Sequence, residues 1–354
     1  SGGTRVSDSD RARLFHDRLS TDDPRSKPLI LASLRDFFDV AARHPTFMAL
    51  VQAVREPAPG RLRLSGLNAT AKALYLLLLY KLTDRPLVVL VESNSVAETL
   101  CETLTAFHDL LDFSKHRGSP FILPAHEVLP YHGQSPHPEV SERRGIGLWR
   151  IAEGAASIAV VPIRSALMKV PRKDFLRNLA WRIETGDEFF VEDLLEGLAS
   201  VGYEKRDPVE MVGQYSLRGG IIDVYSPEAP HPIRIEMLGD QVESIRQFDA
   251  ENQKSIQRVD QTLLLPMTEY PVTTAQVGDE QADPGLEEDP EILPLGWEFS
   301  ALTAATRTGS ILDLFDNPLV IWSERAAIRA DGENLWEKLE NSYEGAGDTG
   351  PPPG

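Results

Sequence analysis

The sequence predicts an α/β protein: a doubly wound layer assembled from two separated stretches of chain, interrupted by a smaller α/β domain built on antiparallel strands. Three observations carry that expectation. Short apolar runs alternate with helical patterns from residue 62 to residue 161, as parallel strands with crossover helices do. From about Ser165 the pattern changes to alternating strands joined by tight turns. A second central-strand pattern with its own helix returns between residues 319 and 343, so the last part of the chain is expected to complete the first sheet.

Taken in order, residues 1–26 are polar, with Asp8, Asp10, Asp22 and Asp23 among arginines, and are expected to fray or to form one short surface helix. Residues 28–53 place Leu34, Phe37, Phe38, Val40, Ala41, Phe47, Leu50 and Val51 at helical spacing. Residues 62–66 read as a short strand entering a loop, and 70–82 as the helix behind it, ending before Asp84-Arg85-Pro86. Leu87-Val88-Val89-Leu90-Val91 is an uninterrupted apolar run rich in β-branched residues, the pattern of a parallel strand buried on both faces. A helix at 95–111, a strand at 121–124, a helix at 141–153 and a strand at 157–161 follow. In the second region 179–184 and 188–190 are strand-like, 191–201 is helical, and 215–225 with 232–248 read as antiparallel strands turning at Pro227 and Gly239-Asp240. The expected domains are a 1–26 extension, 27–165, 166–266, 267–345 with an acidic linker at 279–291, and a disordered tail at 346–354.

The chain has 354 residues, enough for two or three units of about 100 to 150 residues each. No apolar run reaches the roughly 18 residues a membrane helix needs. Ser1-Gly2-Gly3-Thr4-Arg5 is neither a signal nor a transit peptide, and a cytoplasmic location with no membrane partner is expected. The single cysteine, Cys101, falls on the apolar side of a helical pattern and reads as a buried thiol. With 54 acidic against 36 basic residues, the net charge of -18 would repel a duplex backbone over most of the surface. Arginines do concentrate at Arg143, Arg144, Arg150, Arg164, Arg172, Arg177 and Arg182, either as a local basic patch or as solvated helix faces.

Gly66-Leu67-Asn68-Ala69-Thr70-Ala71-Lys72-Ala73 has the frame of a phosphate-binding loop, G-x-x-x-x-G-K-[ST], without two of its working parts. Ala71 replaces the second glycine, which lets backbone N–H groups close on phosphates, and Ala73 replaces the hydroxyl that holds magnesium. Lys72 is retained, but a point charge without the amide nest or the metal is a weak phosphate site. The expectation is a nucleotide-binding scaffold that has lost hydrolysis and binds no cofactor of its own.

Other groupings read as structure. His126, His132 and His137 lie in a proline-rich loop without helical i, i+4 spacing, so a zinc site is not expected. Arg218-Gly219-Gly220 lacks the third glycine of a dinucleotide signature, and no Ser/His/Asp or Cys/His set has motif context. Trp297, Trp322 and Trp336 are expected in the core.

Three blocks in order carry a family resemblance: 214–227 (QYSLRGGIIDVYSP), 232–240 (PIRIEMLGD) and 242–249 (VESIRQFD). They resemble the UvrA-binding domain shared by UvrB and the bacterial transcription-repair coupling factor, Mfd. Leu123-Pro124, Leu129-Pro130-Tyr131, Ser135-Pro136-His137-Pro138-Glu139 and the damaged loop resemble the coupling factor rather than UvrB. The resemblance spans roughly residues 60–345. It implies a RecA-like, P-loop-NTPase-like layer in two segments around a small UvrA-binding domain, serving as an adaptor in nucleotide excision repair that recruits UvrA to lesions at stalled RNA polymerase. It also implies that the polymerase-binding domain and the ATP- and magnesium-dependent DNA translocase lie further along, with this chain as the N-terminal piece. By the same likeness, Val320-Ile321-Trp322-Ser323-Glu324 falls where a motor carries an apolar strand ending in Asp-Glu, so Ser323 stands in place of the magnesium-linked aspartate beside Glu324. The rival classes are a UvrB-type ATP-dependent helicase subunit and a DNA-binding module using the arginine-rich stretch.

Within that domain Arg234 and Glu236, two apart on a strand, project from one face, and Arg218 is expected on the strand paired with theirs. An arginine fork oriented by a neighbouring glutamate is a common interface anchor. The resemblance assigns Arg218, Arg234 and Glu236 to the UvrA-contacting surface, with Asp223 and Tyr215 as weaker candidates, while Ser216 stands where the family uses a further arginine. Read from the residues alone, the trio is an internal surface salt-bridge cluster.

Overall fold

A computed structural model describes residues 36, 38–56, 60–111, 118–272, 293, 295–300 and 306–345. The extension at 1–26, the acidic linker at 279–291 and the tail at 346–354 lie outside the described residues. These gather into two compact units, one of residues up to 85 together with 102–119, the other of 86–101 and everything from 120 onward.

In the first unit, α1 (Pro45–Arg55) and α2 (Ala69–Thr83) are the principal helices. The Phe47 and Tyr75 rings meet edge to face at 5.0 Å, and Arg85 Nη1 donates to the Val54 carbonyl at 3.1 Å. α2 starts at Asn68, whose side chain accepts from Ala71 N, and stops where Asp84 turns left-handed at φ 52°. The strand expected at 62–66 does not form. Leu62 and Leu64 are about half exposed there, because alternation with Arg63 and Ser65 gives the segment no apolar face wide enough to hold it in a sheet.

In the second unit a parallel four-stranded sheet has the order β14-β1-β3-β2, formed by β1 (Leu87–Val91), β2 (Phe121–Ile122), β3 (Ile158–Pro162) and β14 (Leu319–Trp322). Every residue of β1 and β3 is buried, as their unbroken apolar runs require. β14 pairs with β1 in register Leu87↔Leu319 to Leu90↔Trp322, so the last segment does complete the first sheet. Between them come α3 (Asn94–Leu110), whose residues up to Cys101 belong to this unit, α4 (Pro138–Ala152), α5 (Ile163–Leu167) and, after β14, α8 (Arg325–Gly345). Cys101 is buried, as expected.

The inserted region carries a six-stranded sheet, β11-β10-β9-β8-β7-β6. Its strands are β6 (Glu204–Lys205), β7 (Gln214–Arg218), β8 (Ile221–Val224), β9 (Ile233–Leu238), β10 (Gln241–Phe248) and β11 (Ser255–Val259). The short strand β4 (Val170–Pro171) and helix α6 (Lys173–Arg177) precede it, and helix α7 (Val191–Ser200) and the pair β5 (Trp181–Glu184) with β12 (Gln261–Leu264) accompany it. The segment at 188–190 is not a strand and makes only an isolated bridge from Glu188 to Gln241. Apolar residues of both sheets, from Val88 and Ala159 to Ile222, Ile235 and Ile245, share one buried cluster with Leu148 of α4. Trp322 and Trp336 were expected in that core but are about half exposed: one sits on edge strand β14, the other donates its indole N–H to Glu340 one turn along α8.

Where the inserted region returns to the parallel sheet, Glu269 is wholly buried and ionised. Arg307 Nη1 donates to its Oε2 at 2.8 Å, Arg144 Nε to its Oε1, and His126 Nε2 lies 3.2 Å from Oε1. Arg144 also donates to the Pro124 carbonyl at 2.7 Å and to Ser165 Oγ at 2.6 Å. α4 comes close enough for this only because residue 145 is glycine: a Cβ there would stand 2.9 Å from the carbonyl carbon of Thr268. Burial pushes the Glu269 carboxyl up, but Arg144, Arg307 and His126 outweigh it and hold it well below the usual carboxylate range. Burial and the Arg144 charge lower the His126 pKa, so its ring is neutral.

Replacing Glu269 by Gln strands two buried guanidinium groups and is expected to cost about 3–5 kcal/mol in urea unfolding. In the parent protein the signs of both shifts agree. The unfolded state takes up protons first, at His126 below pH 6.5 and at Glu269 below pH 4.5, so stability falls as pH drops through each. The unfolding midpoint measured from pH 7.5 down to 5.5 should therefore decline, and His126→Gln should flatten the decline.

Candidate partner-binding face

Strands β7 to β11 put one row of residues in register: Ser216 opposite Asp223, Asp223 opposite Arg234, Arg234 opposite Arg246, and Arg246 opposite Arg258. Directly opposed residues share a face, and so do their neighbours two along, which brings Arg218, Glu236 and Ser244 onto the same side. The other face carries Tyr215, Ile222, Val224, Ile233, Ile235 and Ile245, all in the buried cluster.

Asp223 organises the polar face. Its side chain is fully buried, and both oxygens are taken by arginines. Arg234 Nε donates to Oδ1 at 2.7 Å and Nη2 to Oδ2 at 2.8 Å, a two-pronged fork. Arg218 Nη2 donates to Oδ2 at 2.8 Å. Hydrogen bonding to Asp223 raises the Arg234 pKa further above its ordinary value. The guanidinium of Arg234 lies over the Phe248 ring at 4.6 Å, so its plane is fixed by packing as well as by charge. Its side chain is 17% exposed, that of Arg218 47%, and the second nitrogen of Arg218 reaches Asp207 at 3.3 Å.

Arg218, Arg234, Glu236 and Asp223 are thus brought together on one face, with two differences from the expected arrangement. Arg218 is not on the strand paired with β9; β8 stands between, and the two arginines meet through its Asp223. Tyr215 is on the opposite face, buried, with its hydroxyl pKa raised by that burial, and it belongs to the core. The alternation of strand β7 carries this signal, since Tyr215 and Leu217 fall out of phase with Ser216 and Arg218. Glu236 does not pair with Arg234 but accepts from Ser244 Oγ and lies 3.2 Å from Arg246 Nη2. Arg246 and Arg258 are the members of the face that sequence reasoning missed. Counting positions two apart along β10 would have found Arg246.

The arginine-rich stretch is largely engaged within the fold. Arg143 pairs with Glu98, Arg144 with Glu269, Arg150 with Glu228, Arg164 with Asp331 through two bonds, and Arg177 with Glu153. The three loop histidines separate: His126 joins the Glu269 network, His132 meets Ser342, and His137 caps α4. Among the described residues no group of three His, Cys, Asp or Glu is placed to hold a metal ion. None of the described helices is long and apolar enough to cross a membrane.

Gly66 through Ala73 lie in the first unit and Ser323 and Glu324 in the second. Gly66 is left-handed at φ 83°. The Ala71 amide donates to Asn68 Oδ1 at 2.8 Å, the Lys72 amide to the Asn68 carbonyl at 2.9 Å, and Ala73 is fully buried. Ser323 follows β14, its amide bonded to the Leu90 carbonyl, and the Glu324 carbonyl opens α8 by accepting from Ile328 N.

Residues 181–270 match the family model described as the UvrB interaction domain. Among characterised proteins the chain is similar to transcription-repair-coupling factors. It is 34% identical to that of Myxococcus xanthus over 227 residues, covering 63% of this chain and 19% of the relative. To that of Bacillus subtilis it is 28% identical over 211 residues, covering 60% of this chain and 17% of the relative. To that of Staphylococcus aureus (strain MRSA252) it is 25% identical over 209 residues, covering 59% of this chain and 17% of the relative. The chain thus spans under a fifth of the length of these relatives. The domain match falls on the strands that carry the arginine face, and the likeness to transcription-repair-coupling factors extends over about three fifths of this chain.

Proposed function

We propose that this chain is an adaptor module of transcription-coupled nucleotide excision repair that captures UvrA through the polar face of its six-stranded sheet. The observation that carries the reading is the pair of arginines held by buried Asp223 on the matched domain. Arg218 is half exposed, with Nη2 held by buried Asp223 and Nη1 on the half-exposed Asp207, a solvent-side pair that a partner carboxylate would join or replace. Arg234 lies behind it as a rigid neighbour that keeps the face positive. Orientation fixed before binding removes an ordering cost at docking, and arginine is enriched among the residues that dominate interfaces. RNA polymerase and DNA would be engaged through other parts of the full-length protein, in the cytoplasm.

In this reading the module does not hydrolyse ATP. The residues at 66–73 fit a magnesium-bound triphosphate poorly. Ala71 N is already bound to Asn68, and Ala73, where a metal-holding hydroxyl would stand, is a buried methyl. Ser323 leaves the end of β14 without a carboxylate at the position where the resemblance implies one. The ion pairing of Arg143, Arg144, Arg150, Arg164 and Arg177 argues against a duplex-binding patch in that stretch.

Three outcomes are expected. Arg218→Ala weakens capture of UvrA about tenfold or more in a titration while the thermal midpoint stays within about 2 °C, because Arg234 still neutralises Asp223; undiminished binding overturns the site assignment. Arg234→Ala removes the two-pronged bond to a buried carboxylate and costs on the order of 3 kcal/mol in urea unfolding. Calorimetry with ATP and magnesium finds no binding tighter than about millimolar, whereas a micromolar constant would favour the helicase-type reading.

A further inference from the structure

At the end of β7 away from Arg218, the turn before the strand holds Met211 and Val212, 67% and 41% exposed, next to a fully buried Val209. It is linked to the arginine face through Gln253, whose carbonyl accepts from Arg234 Nη1 at 3.5 Å. Exposed apolar side chains scattered singly need no explanation. These two are adjacent in sequence, and their backbone is clamped. Gln214 N donates to the Met211 carbonyl at 3.3 Å. Gln214 Oε1 accepts from Glu210 N at 3.0 Å and from Met211 N at 2.9 Å. Gln253 Nε2 donates to the Val209 carbonyl at 3.1 Å, and Asp207 is held by Arg218. Behind them Gly213, at φ +80°, lies so near Met267 that a Cβ would stand 2.7 Å from its Cε. Gln214 has the same phase on β7 as Ser216 and Arg218, so the clamp ties the turn to the polar face.

That face is locally basic in a chain of net charge -18: Arg218, Arg234, Arg246 and Arg258 stand against Asp207, Asp223 and Glu236. Charge of this sign selects an acidic partner surface and speeds the encounter. Affinity comes mainly from a few apolar or aromatic groups that are desolvated at the centre. We propose that Met211 and Val212 are the apolar anchor of the arginine face, seated in an apolar recess rimmed by carboxylates on the partner. The proposal rests on the UvrA reading and names residues outside the set that the resemblance assigns. Because five bonds already hold the turn, seating it orders little further backbone.

The test uses the whole 354-residue chain and purified UvrA, with affinity measured at several salt concentrations. Met211→Ser with Val212→Ser is expected to weaken binding about tenfold, leaving both the salt dependence and the thermal midpoint unchanged. Arg218→Ala should weaken binding and also flatten the salt dependence. Met211→Leu with Val212→Ile should bind as the parent does. If Arg218→Ala weakens binding while the double serine variant binds as the parent, the anchor is wrong and the UvrA reading stands. If neither weakens it, the UvrA reading fails and the anchor with it. Equal loss in the serine and the apolar-conserving variants overturns the anchor, since polarity would then not be what matters.

Discussion

Glu269 is the constraint on which the second unit depends. One carboxylate, with no access to water, is shared by a helix arginine, a strand arginine and a histidine from the loop after β2. A buried charge is tolerable only when its partners are already in place, so α4, β13 (Arg307–Gly309) and the 124–126 loop must arrive together. The join between the inserted region and the parallel sheet is thereby specified by geometry, which an apolar contact of equal area would leave freer to slide. Tyr270 closes the site by stacking on Arg307 at 4.1 Å, and Arg144 carries the connection on to Ser165 at the start of α5.

The same device recurs on the polar face. Asp223 is to Arg218 and Arg234 what Glu269 is to Arg144 and Arg307: a buried acid whose role is to hold cations in fixed directions. The two sites differ in what they leave outside. Around Glu269 the arginines are buried with it, and the cluster is structural. Around Asp223 one arginine emerges to about half exposure, so the inner ion pair becomes a mount for an outer contact.

The uniform apolar runs were legible because nothing else competes for them. Residues 87–91 and 319–322 are strands from end to end, and their pairing follows once the return of the pattern is noticed. The helix at 69–83 was legible from its stop at Asp84 and its apolar content. The segment at 62–66 was not, because an apparent strand before a phosphate-loop frame borrows plausibility from the frame, while its own alternation with Arg63 and Ser65 supplies little to pack. The arginines of the face could be named from the sequence, but not that β8 lies between them, since pairing order is set by turns and register rather than by composition. Tyr215 was misplaced for the opposite reason: its hydroxyl suggests a polar role, while strand phase puts it inside. Glu269 and Arg307 could not be found at all, since a buried ion pair formed across 38 residues leaves no periodic trace.

The register of β14 against β1 bears on how the chain is made. β1 leaves the ribosome early, and its partner leaves only after the whole inserted sheet. Until then Leu87 to Leu90 present an unpaired apolar border, the kind that captures strands from other molecules. The six-stranded sheet, whose neighbours are all consecutive in the chain and antiparallel except for β6 with β7, needs no such wait and can close by itself. Synthesis thus favours a sequence in which the docking domain is finished while its host layer still stands open, and a chain cut short of residue 319 would keep that border exposed for good.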